Sequence, residues 1–251
     1  MTELVYKQIG GLGNFFIHLT SMDEKCTKLH ESVYEHEVSN CITINGFTRV
    51  SYEGIQPEAP IYINPYTYNN IHSKIRNIIK PTTFMEELIS KYEHILDDVS
   101  CGISIRRGTY AVDSMQHSDG TEQDISYYFC SDEGLKNFEK IIEKSPGKVF
   151  VSSDSTITIN TLVSKFGEKI KTLNTKTFTI AMKQEQKPSM EDYQNSFLKF
   201  FILSKCPKLY LTGGRGDMVG FSTYAYMASI YGSKPIEIVF NKFIYKHLLL
   251  L

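Results

Sequence analysis

The sequence has no tryptophan and no pair of cysteines spaced for a metal site. Its five cysteines are odd in number and widely scattered, and none of them forms a C-x-x-C motif. This pattern is typical of free thiols in a reducing compartment, and it gives no indication of a zinc site. We therefore expect no structural metal and no disulfide framework. The cysteines are Cys26, Cys41, Cys101, Cys130 and Cys206.

The sequence also lacks a membrane-spanning apolar run, a secretory leader and an excess of either charge. The opening residues, MTELVYKQIGGLGN, have neither the basic start nor the apolar stretch of a signal peptide. No apolar run approaches the length of a membrane span. We therefore expect a cytoplasmic protein that does not cross a membrane. The 27 Lys and Arg residues balance 28 Asp and Glu. This balance argues against a nucleic-acid partner, and any important cation is expected to act locally.

Strand-like apolar runs alternate with helical patterns along all 251 residues, which is typical of α/β architecture. Leu4–Ile9 is predicted to be a first strand, followed by a helix over residues 14–32. The alternation is cleaner from Val99 onward and predicts a doubly wound parallel sheet. Its clearest predicted elements are the strands Val99–Ile105 and Lys148–Ser153 and the helix Asp132–Lys144. We expect a smaller α/β domain over residues 1–97 and a nucleotide-binding, Rossmann-like domain over residues 98–251.

Four loops carry glycine or polar residues where a predicted strand ends. In an open parallel sheet, ligands bind beyond the carboxyl ends of the strands, so these loops are candidate binding elements. They are GGLGN at Gly10–Asn14, RRGTY at Arg106–Tyr110, SSDS at Ser152–Ser155 and TGGRGDMVGFST at Thr212–Thr223.

The GGLGN loop only partly fits the dinucleotide fingerprint G-x-G-x-x-G. Gly11 and Gly13 match it, but Phe16 stands where the third glycine belongs. A tight turn that needs positive φ explains the glycines equally well. The functional alternative is a loop that lets a ligand approach the backbone, with Asn14 as a polar contact.

Arg106 and Arg107 follow the apolar strand Val99–Ile105, and consecutive residues of a strand point to opposite faces. One arginine could therefore face a ligand while the other holds the loop. A guanidinium group suits phosphate or carboxylate. The alternative is a surface pair engaged in ion pairs, which the buried strand before it disfavours.

Hydroxyl and carboxylate side chains begin two predicted helices. Ser153, Asp154 and Ser155 could contact a base or ribose, but such residues are also favoured helix caps worth ~1 kcal/mol. Ser222 and Thr223 open the last helix, where free N–H groups and the helix dipole favour a phosphate. Taken together, the four loops predict a site for a nucleotide diphosphate.

The order of these motifs resembles the α-1,2-fucosyltransferase family and its relatives, the α-1,6- and protein O-fucosyltransferases. The resembling segments are GGLGN, ISIRRGTY, VFVSSDS and GFSTYAYMA, and they span nearly the whole chain. The resemblance implies a GT-B-like fold of two Rossmann-type lobes, with the donor site in the C-terminal lobe. It also implies transfer of fucose from GDP-fucose to a glycan hydroxyl with inversion and without a metal.

The resemblance assigns a role to each matching residue. Arg106 would meet the donor β-phosphate, and Arg107 would brace its loop. Asp154 and the neighbouring serines would hold the guanosine. The complete set of implied donor-binding residues is Gly13, Asn14, Arg106, Arg107, Ser153, Asp154, Ser155, Phe221, Ser222 and Thr223.

Two positions depart from the family pattern, because Ser104 and Thr109 stand where the family has histidine and aspartate. A different nucleotide sugar therefore remains an alternative, as does a nucleotide- or glycan-binding module without turnover. A nicotinamide-dependent oxidoreductase is a more distant third interpretation.

The acidic loop after the arginines contains the candidate catalytic base. Our first choice is Asp113, because the related enzymes have a carboxylate a few residues beyond the arginine motif. Asp119, Glu122 and His117 remain alternatives, and a solvated loop without catalytic function accounts equally for any of them.

Overall fold

A computed structural model describes residues 5–6, 12–21, 27–35, 38–55, 74–107, 129–173, 189–214, 221–242 and 244–247. In its amino-terminal part, a parallel three-stranded sheet and an antiparallel pair of strands are packed among helices. The elements are β1 (Val5–Tyr6), α1 (Leu12–Ser21), β2 (Lys28–His30), α2 (Ser32–Glu35), α3 (Val38–Cys41), β3 (Ile42–Ile44), β4 (Thr48–Val50), α4 (Ile75–Ile78), β5 (Ile79–Pro81), α5 (Thr83–Tyr92) and a 3₁₀ turn (Glu93–Leu96).

The helix predicted over residues 14–32 was wrong in its second half. Helix α1 ends at Ser21, and Lys28–His30 forms β2 between β1 and β4. Backbone pairing with two strands distant in sequence decides the conformation of this short segment, and local periodicity cannot report such pairing.

The carboxy-terminal part contains a six-stranded sheet within the described residues, in the order β11-β10-β9-β6-β7-β8. All neighbours are parallel except β11, which is antiparallel to β10. The elements are β6 (Val99–Ile105), α6 (Asp132–Lys144), β7 (Lys148–Ser153), α7 (Thr156–Phe166), a 3₁₀ turn (Gly167–Lys169), β8 (Ile170–Lys171), α8 (Met190–Lys205), β9 (Leu209–Thr212), α9 (Thr223–Gly232), β10 (Ile236–Val239) and β11 (Ile244–His247).

The strand order reverses at β6, because β7 and β8 extend to one side of it and β9 and β10 to the other. This is the predicted doubly wound arrangement, and its switch point lies between β6 and β9. A ligand crevice forms outside the carboxyl ends of strands at such a point.

Local sequence explains why the main helices begin where they do. Ser131 caps α6, whose first turn is acidic and whose apolar face buries Phe138 and Ile142. Helix α8 opens with a capping box in which Ser189 and Asp192 exchange hydrogen bonds. These signals fix the helices that flank the sheet.

The two faces of the sheet carry separate apolar cores. One core lies under α6 and α7 and includes Ile103 and Val151. The other lies under α8 and α9 and continues into α1 and α5. There, the ring centroid of Phe16 lies 6.1 Å from that of Phe197 and 4.7 Å from that of Phe200. Apolar packing is therefore continuous between the two predicted domains, and the boundary at residues 97–98 stays a prediction.

Candidate functional site

The carboxyl ends of β6 and β9 are joined through one threonine. The Arg106 amide donates to Thr212 Oγ1 over 2.9 Å, and the same hydroxyl donates to the Ser104 carbonyl over 3.3 Å. Thr212 is fully buried. This link fixes the start of the arginine loop at the switch point of the sheet.

The two consecutive arginines point in different directions, as the strand alternation predicts. Arg107 is buried, and its guanidinium donates to the Cys130 carbonyl over 2.9 Å and to Asp132 Oδ1 over 2.5 Å. Arg106 is partly exposed, and its guanidinium carbon lies 5.0 Å from the Phe129 ring centroid. Arg107 therefore braces the start of α6, while Arg106 is the arginine at the crevice.

The segment that carries Phe129 is held by hydrogen bonds from two strands. Asn241, just after β10, donates through Nδ2 to the Phe129 carbonyl over 3.2 Å, and its Oδ1 accepts from the Ser131 amide over 2.9 Å. The Cys130 amide donates to the Arg106 carbonyl over 2.7 Å. Sequence analysis missed Phe129 and Asn241, because no local motif reports these long-range contacts.

The loop after β7 approaches the arginines and also caps its own helix. Asp154 Oδ1 accepts a 2.7 Å hydrogen bond from the Arg107 amide. Ser155 Oγ accepts from the Thr158 amide over 3.2 Å as the cap of α7, and Ser153 Oγ accepts from the Ser155 amide over 3.1 Å. The structure brings Asp154 to the arginine loop and gives both serines local structural partners.

The start of α9 contacts the amino-terminal part of the chain. Thr223 Oγ1 donates to Asn14 Oδ1 over 2.9 Å. Ser222 is the helix cap residue but makes no side-chain capping bond, and its amide donates to the Thr212 carbonyl over 2.8 Å. Phe221 is buried edge-on against Tyr226, with their ring centroids 5.2 Å apart. Ser222 and Thr223 therefore lie at the carboxyl end of β9, beside Asn14.

Gly13 lies inside α1, where it allows a close approach to α9. A Cβ atom at Gly13 would lie 2.2 Å from the Tyr224 amide nitrogen and 2.5 Å from Thr223 Oγ1. A real Cβ is not tolerated at such distances from backbone. Helix–helix contact therefore accounts for this glycine. Gly10 and Gly11 lie outside the described residues.

Two buried groups have strongly shifted pKa values: Cys130, beside the arginine loop, and Lys199, on α8. Burial raises the pKa of Cys130 to about 12, against the opposing effect of the Arg107 charge, so the thiol stays protonated and is not a nucleophile. Burial lowers the pKa of Lys199 to about 8. Sequence analysis missed Lys199, because its place in a helix gives no sign that it is buried.

Some predicted residues cannot be placed. Asp113, Thr109, His117, Asp119 and Glu122 lie outside the described residues. Among the side chains that the structure does describe, no three His, Cys, Asp or Glu residues lie together as metal ligands. The helices in the same part of the chain include none long and apolar enough to cross a membrane.

No protein-family model and no curated protein sequence matches this chain. The solved structures that match nearly the whole chain include fucosyltransferases. A crystal structure of NodZ α-1,6-fucosyltransferase co-crystallised with GDP has a TM-score of 0.60 at 12% identity, covering 99% of this chain and 98% of that one. The crystal structure of fucosyltransferase NodZ from Bradyrhizobium has a TM-score of 0.59 at 12% identity and covers 99% of both chains. The structure of NodZ soaked with GDP-fucose has a TM-score of 0.54 at 13% identity and covers 94% of both chains.

The fold is therefore a mixed α/β fold with a parallel sheet, shared with GT-B fucosyltransferase structures, and this part of the predicted fold class is confirmed. The two Rossmann-type lobes and the donor site in the C-terminal lobe stay predictions. One protein that shares this fold is NodZ. At 12–13% identity, this likeness shows a shared fold and nothing more specific.

Proposed function

We propose that this protein is a glycosyltransferase that moves fucose from GDP-fucose onto a glycan hydroxyl, with inversion and without a metal. The observation that carries the proposal is the position of Arg106. It is a partly exposed cation at the carboxyl end of the central strand, at the switch point where α/β sheets bind nucleotides. The fold is shared with NodZ, whose structures contain GDP or were soaked with GDP-fucose.

In this proposal, Arg106 stabilises the departing diphosphate. Negative charge develops on the β-phosphate as the bond to the sugar breaks, and a fixed guanidinium lowers the energy of that state. Its stacking on Phe129 and the contacts of Arg107 and Asp154 hold the loop in place beforehand. The amides of the first turn of α9, which starts at Thr223, would stabilise the same charge, together with the Ser222 hydroxyl, which makes no capping bond.

The acceptor hydroxyl must lose a proton to a base as the new glycosidic bond forms. We assign this role to Asp113, with Asp119, Glu122 and His117 as the alternatives. An Asp113→Asn variant is expected to bind GDP-fucose normally and to lose most of its turnover. An unchanged transfer rate would exclude Asp113 as the base.

The direct test is calorimetric titration of the purified protein with GDP, GDP-fucose, UDP and other nucleotide sugars, without added metal. Selective binding of GDP and GDP-fucose is the expected result. Preference for another nucleotide would keep the transferase and overturn the fucose assignment. Absence of binding to every nucleotide would overturn the proposal.

Arg106→Ala is expected to lower the transfer rate by at least about a hundredfold, the usual effect of removing one preorganised transition-state contact. Its thermal unfolding should stay close to that of the parent, because the Arg106 side chain is partly exposed. The matched control is Arg49→Ala, which removes an exposed arginine from β4. A rate near the parent level in Arg106→Ala would exclude the phosphate role.

A binding protein without turnover is the second candidate. It is favoured by Ser104, a buried serine on β6 where the resembling enzymes have histidine. Slow hydrolysis of GDP-fucose, measured as released GDP over hours, would exclude this candidate.

A further inference from the structure

Asn241 follows β10 by two residues and bonds to two segments that are distant from it in the sequence. It is buried, and its side chain donates through Nδ2 to the Phe129 carbonyl over 3.2 Å and accepts at Oδ1 from the Ser131 amide over 2.9 Å. Its backbone amide donates to the Gly214 carbonyl, just after β9, over 2.8 Å. One residue therefore holds both the segment before α6 and the start of the loop that follows β9.

The side-chain amide of Asn241 matches two backbone groups of opposite polarity. The Phe129 carbonyl is an acceptor and the Ser131 amide is a donor, and a primary amide can bond to both at once. A carboxylate offers only acceptors, and an apolar side chain offers neither kind of group. The residue type at this position thus follows from the two groups that it faces.

Helix α6 leaves space for the Asn241 side chain and also holds its main chain. Gly134 is buried in the first turn of α6, and a Cβ atom there would lie 2.3 Å from Asn241 Oδ1. Asn137, three residues later, donates through Nδ2 to the backbone carbonyls of Phe240 and Asn241, each over 3.3 Å. The place of Asn241 beside the segment before α6 is therefore well determined.

Phe129, which Asn241 holds, lies against the guanidinium of Arg106. The guanidinium carbon is 5.0 Å from the ring centroid, within the distance at which a cation is attracted to an aromatic face. The next residue joins the same two segments, because the Cys130 amide donates to the Arg106 carbonyl over 2.7 Å. An arginine side chain has many rotamers, and the ring favours those that lie on it.

We propose that Asn241 is a positioning residue for the donor site: through Phe129 it sets the place of the Arg106 guanidinium, which binds the β-phosphate of the nucleotide sugar. This inference rests on the proposed function and adds to it a residue that acts through another. A guanidinium held in place beforehand loses less conformational freedom when the ligand binds, so its contact is stronger. Loss of the Asn241 side chain should therefore weaken the β-phosphate contact selectively.

The test is a double-mutant cycle on nucleotide affinity, measured by calorimetric titration with GDP and with GMP, which lacks the β-phosphate. The proteins are the parent, Asn241→Ala, Arg106→Ala and the double variant. Asn241→Ala keeps the backbone bond to Gly214, so it removes only the side-chain contacts.

We expect Arg106→Ala to weaken GDP binding at least about tenfold, the usual loss for one charge-assisted hydrogen bond. Asn241→Ala should weaken it about fivefold, the usual cost of ordering one long side chain on binding. Both single variants should bind GMP within about twofold of the parent, because GMP has no β-phosphate for the guanidinium to meet.

The double variant distinguishes positioning from a merely structural role. Without the guanidinium there is nothing for Phe129 to place, so Asn241→Ala should cause no further loss of GDP affinity in the Arg106→Ala background. A structural role would give the same loss in both backgrounds. The matched control is Asn137→Ala, which removes two hydrogen bonds to the main chain after β10 and leaves the Asn241 side chain its partners. This control should bind GDP within about twofold of the parent.

The outcomes separate this inference from the proposed function. If Arg106→Ala weakens GDP binding but Asn241→Ala stays within about twofold of the parent, the inference is overturned and the proposed function stands. Equal losses for GDP and GMP, or equal losses with and without Arg106, would also overturn it. If the parent binds no nucleotide, both fail. Should Asn241→Ala fail to fold, Phe129→Leu takes its place in the cycle. An unchanged GDP affinity in Phe129→Leu, or a loss that persists without Arg106, then overturns the inference.

Discussion

Gly13 lies in α1 against the first turn of α9, with no room for a side chain. The atoms that a Cβ would meet include the Tyr224 amide nitrogen and the Thr223 carbonyl carbon, both of which belong to the backbone. Backbone in a packed helix cannot move aside as a flexible side chain can. The two helices would have to separate, and the adjacent hydrogen bond from Thr223 to Asn14 would be lost with the contact.

Gly13→Ala is accordingly expected to lower the free energy of unfolding by about 1–3 kcal/mol, the usual cost of overpacking. Asn14→Ala, one residue along, removes an exposed side chain and one hydrogen bond, and should cost no more than about 1 kcal/mol. Urea unfolding followed by circular dichroism measures both. A Gly13→Ala protein as stable as the parent would contradict the contact.

Lys199 links stability to pH in a direction that follows from its burial. Its pKa falls from 10.5 to about 8 on folding, so between these values the unfolded chain holds a proton that the native protein has released. The free energy of unfolding therefore rises with pH across this window, because the cost of burying the charge disappears.

Lys199→Met should remove this rise and stabilise the ligand-free protein at pH 7 by up to about 3 kcal/mol. Chemical unfolding at pH 7 and pH 10 is the measurement, with Lys205→Met as the exposed control. If the free energy of unfolding changes equally between pH 7 and pH 10 in Lys199→Met and in the parent, folding does not shift the pKa of Lys199.

At the level of single residues, the sequence predicted that the side chains of Arg106 and Arg107 point in opposite directions, but it did not predict the residues around them. The first prediction needs only the alternation of side chains along β6, which is a local property of a strand. Phe129 and Asn241 reach the arginine loop through contacts between distant segments, and nothing in the neighbouring sequence reports such contacts.

At the scale of elements, strong local signals predicted the bounds of the carboxy-terminal sheet well. Val99–Ile105 and Lys148–Ser153 are continuous apolar strands, and Asp132–Lys144 has a serine cap and a regular apolar stripe. The structure gives these three elements the bounds expected from the sequence. Here the local preference and the tertiary position agree, so periodicity alone was sufficient.

Short elements escaped prediction for the opposite reason. Strands β2 and β4 have three residues each, and their side chains show no periodicity that a window could detect. They exist because they pair with each other and with β1. Strand β11 likewise depends on its antiparallel pairing with β10.

At the scale of the whole molecule, the core under α8 and α9 is shared by the two predicted domains, so we expect them to unfold together. Phe16 of α1 is fully buried against Phe197 and Phe200 of α8. An interface with the character of a core does not separate easily, in contrast to the smaller, more polar interfaces of mobile domains.

Thermal unfolding is therefore expected to be a single cooperative transition by scanning calorimetry, with equal calorimetric and van't Hoff enthalpies. Phe16→Ala should lower that whole transition, at a cost of about 3–5 kcal/mol. Two resolved peaks, with only the first moved by Phe16→Ala, would show independent domains.

The packing of α1 on α8 also sets the order in which the chain can fold during synthesis. The apolar face of α1 is made first, while Phe197 and Phe200 are made only after the first three strands of the six-stranded sheet. Until they leave the ribosome, Phe16 lacks the two rings on which it packs. Transiently exposed apolar surface is prone to aggregation, so α1 is expected to need chaperone protection until α8 has been made.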